Sequence, residues 1–145
     1  MIIFVLEAAW ILACALYDWR IQQVPNWLFL VGGSIALLQT LAFWFGGDWT
    51  WVRLILSGCH VTLALVFWRW GFWGGADAKF WIVLAFLFSF ETLFVALVVS
   101  HTILAGYFMI RSLWQHDKRP VPGIPLMSVG LLASPFVLSW FEVRG

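Results

Sequence analysis

Apolar residues run along this chain in long blocks broken by short polar marks. The lengths of those blocks, more than any alternation, set the expected elements. A helix that crosses a bilayer needs about 20 mostly apolar residues. Six blocks reach or approach that length: residues 2–18, 26–46, 51–70, 77–90, 92–114 and 124–141. Pro25 stands just before Asn26, and proline suits a helix start, where the first N–H groups lack partners anyway. The stretch "GGDWT" at 46–50 separates the second block from the third. From Phe80 to Trp114 the chain is apolar for 35 residues. As one helix that would be about 52 Å long, against a hydrocarbon core of about 30 Å. A break is therefore required, and "FSFET" at 88–92 supplies the turn, which leaves the fourth helix short.

Composition agrees with this reading. The chain is 63% hydrophobic and 10% charged, where soluble domains carry about 25% charged residues. The expected fold class is an all-α integral membrane protein of about six transmembrane helices, forming one domain over 1–145. A net charge of +1 gives no pull toward nucleic acid. Fourteen Phe and twelve Trp suit lipid-facing and interfacial positions. The opening "MIIFVLEAAWILACALYDWR" has the apolarity of a secretory signal, but no Lys or Arg precedes the run and Leu12 is a poor residue two before Cys14. It reads as a retained first helix. Cys14 and Cys59 lie in apolar blocks with no CxxC, and read as small buried side chains. His60, His101 and His116 show no HxxxH or HExxH spacing, so no metal site is expected. His60, mid-span, should hydrogen-bond a neighbouring helix. Glu7 and Glu91 are expected near the face away from Asp18, as interfacial or interhelical partners.

Six spans place both termini on one side. Sorting the basic residues by side puts Arg20, Arg69, Lys79, Arg111, Lys118 and Arg119 together, with Arg53 and Arg144 opposite. The excess of positive charge marks the loops near 18–26, 69–79 and 111–123 as cytoplasmic and the termini as external. The basic stretch "HDKRP" at 116–120 is a candidate contact for anionic lipid.

Two aspartates stand out against this background. Asp18 ends the first block and Asp77 opens the fourth, so both belong to the cytoplasmic boundary although 59 residues apart. Ionisable groups at membrane depth are costly and default to a functional hypothesis. Two carboxylates a few ångströms apart cannot both ionise cheaply, so the pair holds one proton. The ionised member takes a proton from water while the protonated member donates to a carbonyl oxygen, which is enough to hydrolyse a peptide bond. The alternatives are structural. Asp18 can anchor at the interface by pairing with Arg20 or Lys79; Asp77 can be an N-cap or a partner for Arg69.

The residues around both aspartates carry a family pattern. "YDWRIQQVPNWLFL" surrounds Asp18, with Val24, Pro25 and Asn26 beginning six residues later, and "GGADAKFW" surrounds Asp77, with Lys79 two residues on. Together they resemble the type IV prepilin peptidases, or leader peptidases, and the related archaeal preflagellin peptidases. The resemblance covers the six-helix chain, and extends more loosely to "RPVPGIPLMSVG" at 119–130. It implies a membrane aspartic endopeptidase of the Gly-x-Gly-Asp type, with Asp18 and Asp77 catalytic and no cofactor. It implies substrates with a short basic leader, a small residue before the cut and a hydrophobic helix after it, cleaved at the cytoplasmic face. Gly74, Gly75 and Ala76 would form the active-site loop. The position before Asp77 is Ala76, where the family has glycine; it reads as a tolerated variant. Gly74 and Gly75 would let a substrate backbone approach. Lys79 would tune the pair or snorkel to headgroups. Asn26 would orient Asp18 or, more simply, cap the second helix. The larger relatives add a cysteine-rich, zinc-binding methyltransferase region before the first helix; this chain resembles a short, peptidase-only form.

Overall fold

Six helices follow the six apolar blocks: α1 (Ile2–Ile21), α2 (Asn26–Gly46), α3 (Trp51–Arg69), α4 (Gly75–Leu87), α5 (Phe90–Trp114) and α6 (Gly123–Glu142). The arrangement comes from a computed structural model that describes residues 2–47, 50–114 and 123–142. Asp48, His116, Lys118, Arg119 and Arg144 lie outside the described residues, as do the side chains of Arg111 and Glu142. The 116–120 stretch, and its expected contact with lipid, lies outside them too.

Several ends differ from the expected ones by one to three residues, two of them beside the aspartates. α1 runs past Asp18 to Ile21, because Trp19, Arg20 and Ile21 tolerate helical dihedrals. The turn comes at Gln22, which adopts φ 54° while its N–H donates to the Asp18 carbonyl at 3.0 Å. Val24 precedes a proline and is thereby biased away from helix. α4 opens at Gly75 rather than Asp77, after Gly74 in an extended conformation (φ −68°, ψ 162°). The expected break between the fourth and fifth helices is present. Phe88 is extended (φ −114°, ψ 161°), and the Ser89 hydroxyl accepts from the Thr92 N–H at 3.3 Å, capping α5.

By length and composition α1, α2, α3 and the Phe90–Met109 part of α5 can each cross a membrane; the apolar part of α6, Gly123–Ser139, is shorter. α4 has 13 residues, about 20 Å at 1.5 Å per residue, too short to span alone. It is instead the centre of the bundle. Ala78, Phe80, Trp81, Val83, Leu84, Ala85 and Leu87 are all buried, and α2, α3, α5 and α6 pack around it. A helix apolar on every side belongs inside. The outer surface is apolar as well: Phe4, Leu30, Phe45, Leu132 and Phe136 are each at least 70% exposed. Buried polar residues such as Glu7, Asp18, Gln39 and Ser134 point the other way, into the bundle. An apolar exterior around a partly polar interior suits lipid as the surrounding solvent.

Trp10 ties the central helix to α1 and α2. Its indole N–H donates to the Leu28 carbonyl at 2.7 Å, its ring stacks on Phe80 with centroids 5.2 Å apart, and it lies across Gly32. A Cβ at Gly32 would collide with the indole, so the close approach of α1 and α2 requires glycine there. His60 meets the expectation of an interhelical partner, with Nε2 3.3 Å from the Phe90 carbonyl. One expectation fails. Cys59 is exposed while Cys14 is buried, because α3 turns that face outward and an apolar side chain is equally at home in lipid. Of the two places expected for Glu7, interfacial or interhelical, the structure has the second: it is buried, at 2% exposure, where α6 covers that face of α1.

Gly32→Ala should destabilise the bundle by about 1–3 kcal/mol through overpacking against Trp10. Thermal unfolding in detergent measures this. An unchanged midpoint would show that α1 and α2 separate without cost.

Candidate active site

The last turn of α1 carries Asp18, which is 6% exposed. Its Oδ2 accepts from the backbone N–H of Ile124 at 3.1 Å. Ile124 is the second residue of α6, and N–H groups in a first helical turn have no partner within the helix. A carboxylate is a favoured partner there, since the helix dipole places partial positive charge at that end. The expected interfacial pairing with Lys79 is not made, because the Lys79 ammonium donates to Asn26 Oδ1 at 2.7 Å.

Asp77 is the third residue of α4. The cap itself is Gly74, so the reading of Asp77 as an N-cap needs correction. Its Oδ2 reaches back to accept from the Gly74 N–H at 3.1 Å. Its Oδ1 is buried and takes no hydrogen bond from the described residues. The carboxyl group lies against Gly123: a Cβ there would stand 2.5 Å from Oδ1 and 2.8 Å from Cγ. Only a residue without a side chain lets Asp77 occupy that place. Asp18 and Asp77 therefore meet successive residues of one helix start, Ile124 and Gly123.

Neither Gly123 nor Ile124 was picked out from the sequence. The signal was the glycine between prolines in "VPGIP" at 121–125. It marks a helix start but does not say what packs on it. Beside Asp77 opens a cavity of about 120 Å³, lined by Phe72, Trp73, His101, Gly123 and Met127 among others. A larger cavity of about 190 Å³, between α3 and the 88–91 turn, includes neither aspartate.

The remaining predicted positions divide. Gly74 and Gly75 are exposed and leave the approach to Asp77 open, although Gly75 belongs to α4 and not to the loop. Ala76 is the second residue of α4 and packs partly against the core. Among the described residues, Gln22 is the one non-glycine with positive φ. The freedom that glycine would bring to position 76 is not used. Asn26 neither orients Asp18 nor caps α2. The cap is Pro25, without a side-chain bond, while Asn26 holds Lys79. Lys79 also sits over the Phe29 ring, 5.8 Å from its centroid. This exposed link joins α4 to α2, and exposed polar pairs of this kind contribute at most about 1 kcal/mol.

The arrangement is suited to proton transfer. One buried carboxylate is held by a helix start. The other has one oxygen committed to the backbone and one uncommitted, on the edge of a cavity. A buried polar atom without a partner is uncommon in a folded chain and points to a reactive role.

Ala76→Gly should destabilise the protein by less than about 1 kcal/mol, the cost of glycine in a helix interior, because position 76 lies in the first turn of α4. A rise in the unfolding midpoint would mean that the methyl at 76 is strained.

No curated protein and no solved structure gives a significant match to this chain. The sequence profile of the type IV leader peptidase family does match, over residues 5–110, well over half of the chain and both aspartates. The chain belongs to the type IV leader peptidase family.

Proposed function

We propose that this chain is a membrane aspartic endopeptidase that removes the leader from type IV pilin-like proteins, with Asp18 and Asp77 activating water. The observation that carries the reading is the convergence of both carboxylates on the first turn of α6, with Asp77 Oδ1 buried and unpartnered. The whole chain, 1–145, acts as one peptidase domain in the cell membrane. The active end faces the cytoplasm and the termini face outward, in keeping with the side that holds most of the basic residues.

The chemistry follows from two acids sharing one proton. The ionised carboxylate accepts a proton from water as the water oxygen bonds to the scissile carbonyl carbon. The protonated carboxyl donates to the carbonyl oxygen, giving a neutral gem-diol. Collapse of that intermediate breaks the C–N bond: one carboxyl passes its proton to the leaving amine while the other, ionised, takes a proton from a gem-diol hydroxyl as the new carboxyl group forms. The pair is restored with one proton. Its titration belongs to both groups jointly, so neither residue has a private pKa in catalysis. Substrate reaches the pair in extended form past Gly74 and Gly75, whose exposure leaves room for a main chain. A hydrophobic helix after the cut stays in the bilayer and brings the scissile bond to the depth of Asp18 and Asp77.

Co-expression with a prepilin-like substrate should give a faster-migrating, processed product. Asp18→Asn and Asp77→Asn should each lower processing by about 10³-fold or more, and the double variant should be little worse than either, as for groups that act as a unit. Metal chelators should leave the wild-type rate unchanged. Full processing by either single variant would exclude the paired-acid mechanism.

A further inference from the structure

His101 lies on α5, outside the two family motifs, yet its ring contacts the segment that leads into Asp77. The Trp73 indole N–H donates to His101 Nε2 at 3.3 Å, and His101 Nδ1 lies 2.8 Å from the Leu97 carbonyl. These partners fix the tautomer. An indole N–H only donates, so Nε2 is an acceptor; a carbonyl only accepts, so Nδ1 carries the hydrogen. A partner on each ring nitrogen orients His101. Trp73 is 6% exposed, and the Phe67 ring lies edge-on to it with centroids 5.0 Å apart.

The segment from Trp70 to Gly74 turns at Gly71 (φ 76°) and ends in extended Gly74, and its backbone N–H groups from Trp70 to Trp73 bond back to the end of α3. The Trp73 and Phe72 N–H groups tie it to the Phe67 carbonyl at the end of α3. Among the described residues, the Trp73 side chain hydrogen-bonds to His101. Gly74 follows Trp73 directly, and the Gly74 N–H is the group that holds Asp77 Oδ2. A displaced Trp73 therefore displaces the donor that orients Asp77. His101 and Asp77 also line the same cavity of about 120 Å³.

We infer that His101 is a positioning residue for Asp77, acting through an acceptor at Nε2 that fixes Trp73 and hence the Gly74 N–H. The inference rests on the peptidase reading above, and extends it to a residue that neither motif contains. His101 contacts Trp73 and the α5 backbone, not Asp77 itself, so it takes no part in the bond-breaking steps.

The test uses the full-length protein in detergent or proteoliposomes, with a purified prepilin-like substrate that the wild type cleaves. Glutamine places an acceptor near the Nε2 position, and asparagine mimics only the Nδ1 side of the ring. H101Q should retain most of the wild-type rate. H101N and H101L should lose about tenfold or more in kcat with KM little changed, as expected when a catalytic group is misplaced rather than substrate binding lost. W73F keeps an aromatic ring but removes the indole N–H together with the fused five-membered ring, and should show at least a similar loss. The W73F/H101L double variant should be no slower than the slower single variant. Unfolding midpoints of all variants separate misfolding from mispositioning. Equal rates for H101Q, H101N and H101L, or fully additive losses in the double variant, would overturn the inference while leaving the peptidase reading intact. A wild type that cleaves no such substrate would instead remove the reading on which the inference rests.

Discussion

The meeting of the two acids in this bundle depends on one helix start, that of α6, whose first N–H groups lack partners within their own helix. At membrane depth an orphaned donor is expensive. The Asp18 carboxylate meets one of them, at Ile124. Gly123, one residue earlier, has no side chain, and the Asp77 carboxyl fills that space. The same turn therefore holds one acid through a hydrogen bond and admits the other through a missing Cβ. α1, α4 and α6 come from distant parts of the chain, and this turn is where they are brought into register.

The remainder of the fold keeps those three helices in place. α4 is too short to span and too apolar to face water, so it becomes the core. Its buried aromatic residues Phe80 and Trp81 face helices on several sides. Trp10 joins α1 to α2 and stacks on Phe80, which fixes the depth of Asp18 relative to the start of α4. At the other end of α4 the break at Phe88 and Ser89 turns the chain into α5, which runs back toward Trp73 and carries His101. The short central helix thus has one end set by packing and the other by loop contacts, with Asp77 in its first turn.

Much of this was legible in the sequence. The apolar block lengths gave six helices, and the 35-residue stretch after Phe80 demanded the turn at 88–92 that the structure contains. The two acids were legible because a carboxylate in an apolar setting is conspicuous by type alone. What the sequence concealed has definite physical causes. In a membrane protein the lipid-facing and core-facing sides of a helix are both apolar, so periodicity does not separate Cys59 from Cys14, or show that Glu7 is covered. The third partner of the acids is a backbone N–H and an absent Cβ, and neither has a side-chain signature. Asn26 and Lys79 pair across 53 positions, beyond any local rule. Helix ends were misplaced by two or three residues because polar side chains such as Asp18 and Asp77 were taken as boundaries, when both lie inside their helices.

The central claim is that Asp18 and Asp77 share one site. Its most direct measurement is cross-linking between cysteines placed at both positions, in a background where Cys14 and Cys59 are replaced by alanine, within native membranes. A short bifunctional thiol reagent should join Asp18→Cys to Asp77→Cys within one chain, visible as an intact product after proteolysis in the 48–49 connection. Efficient labelling of each cysteine alone without any cross-link would place the two side chains apart and contradict the account.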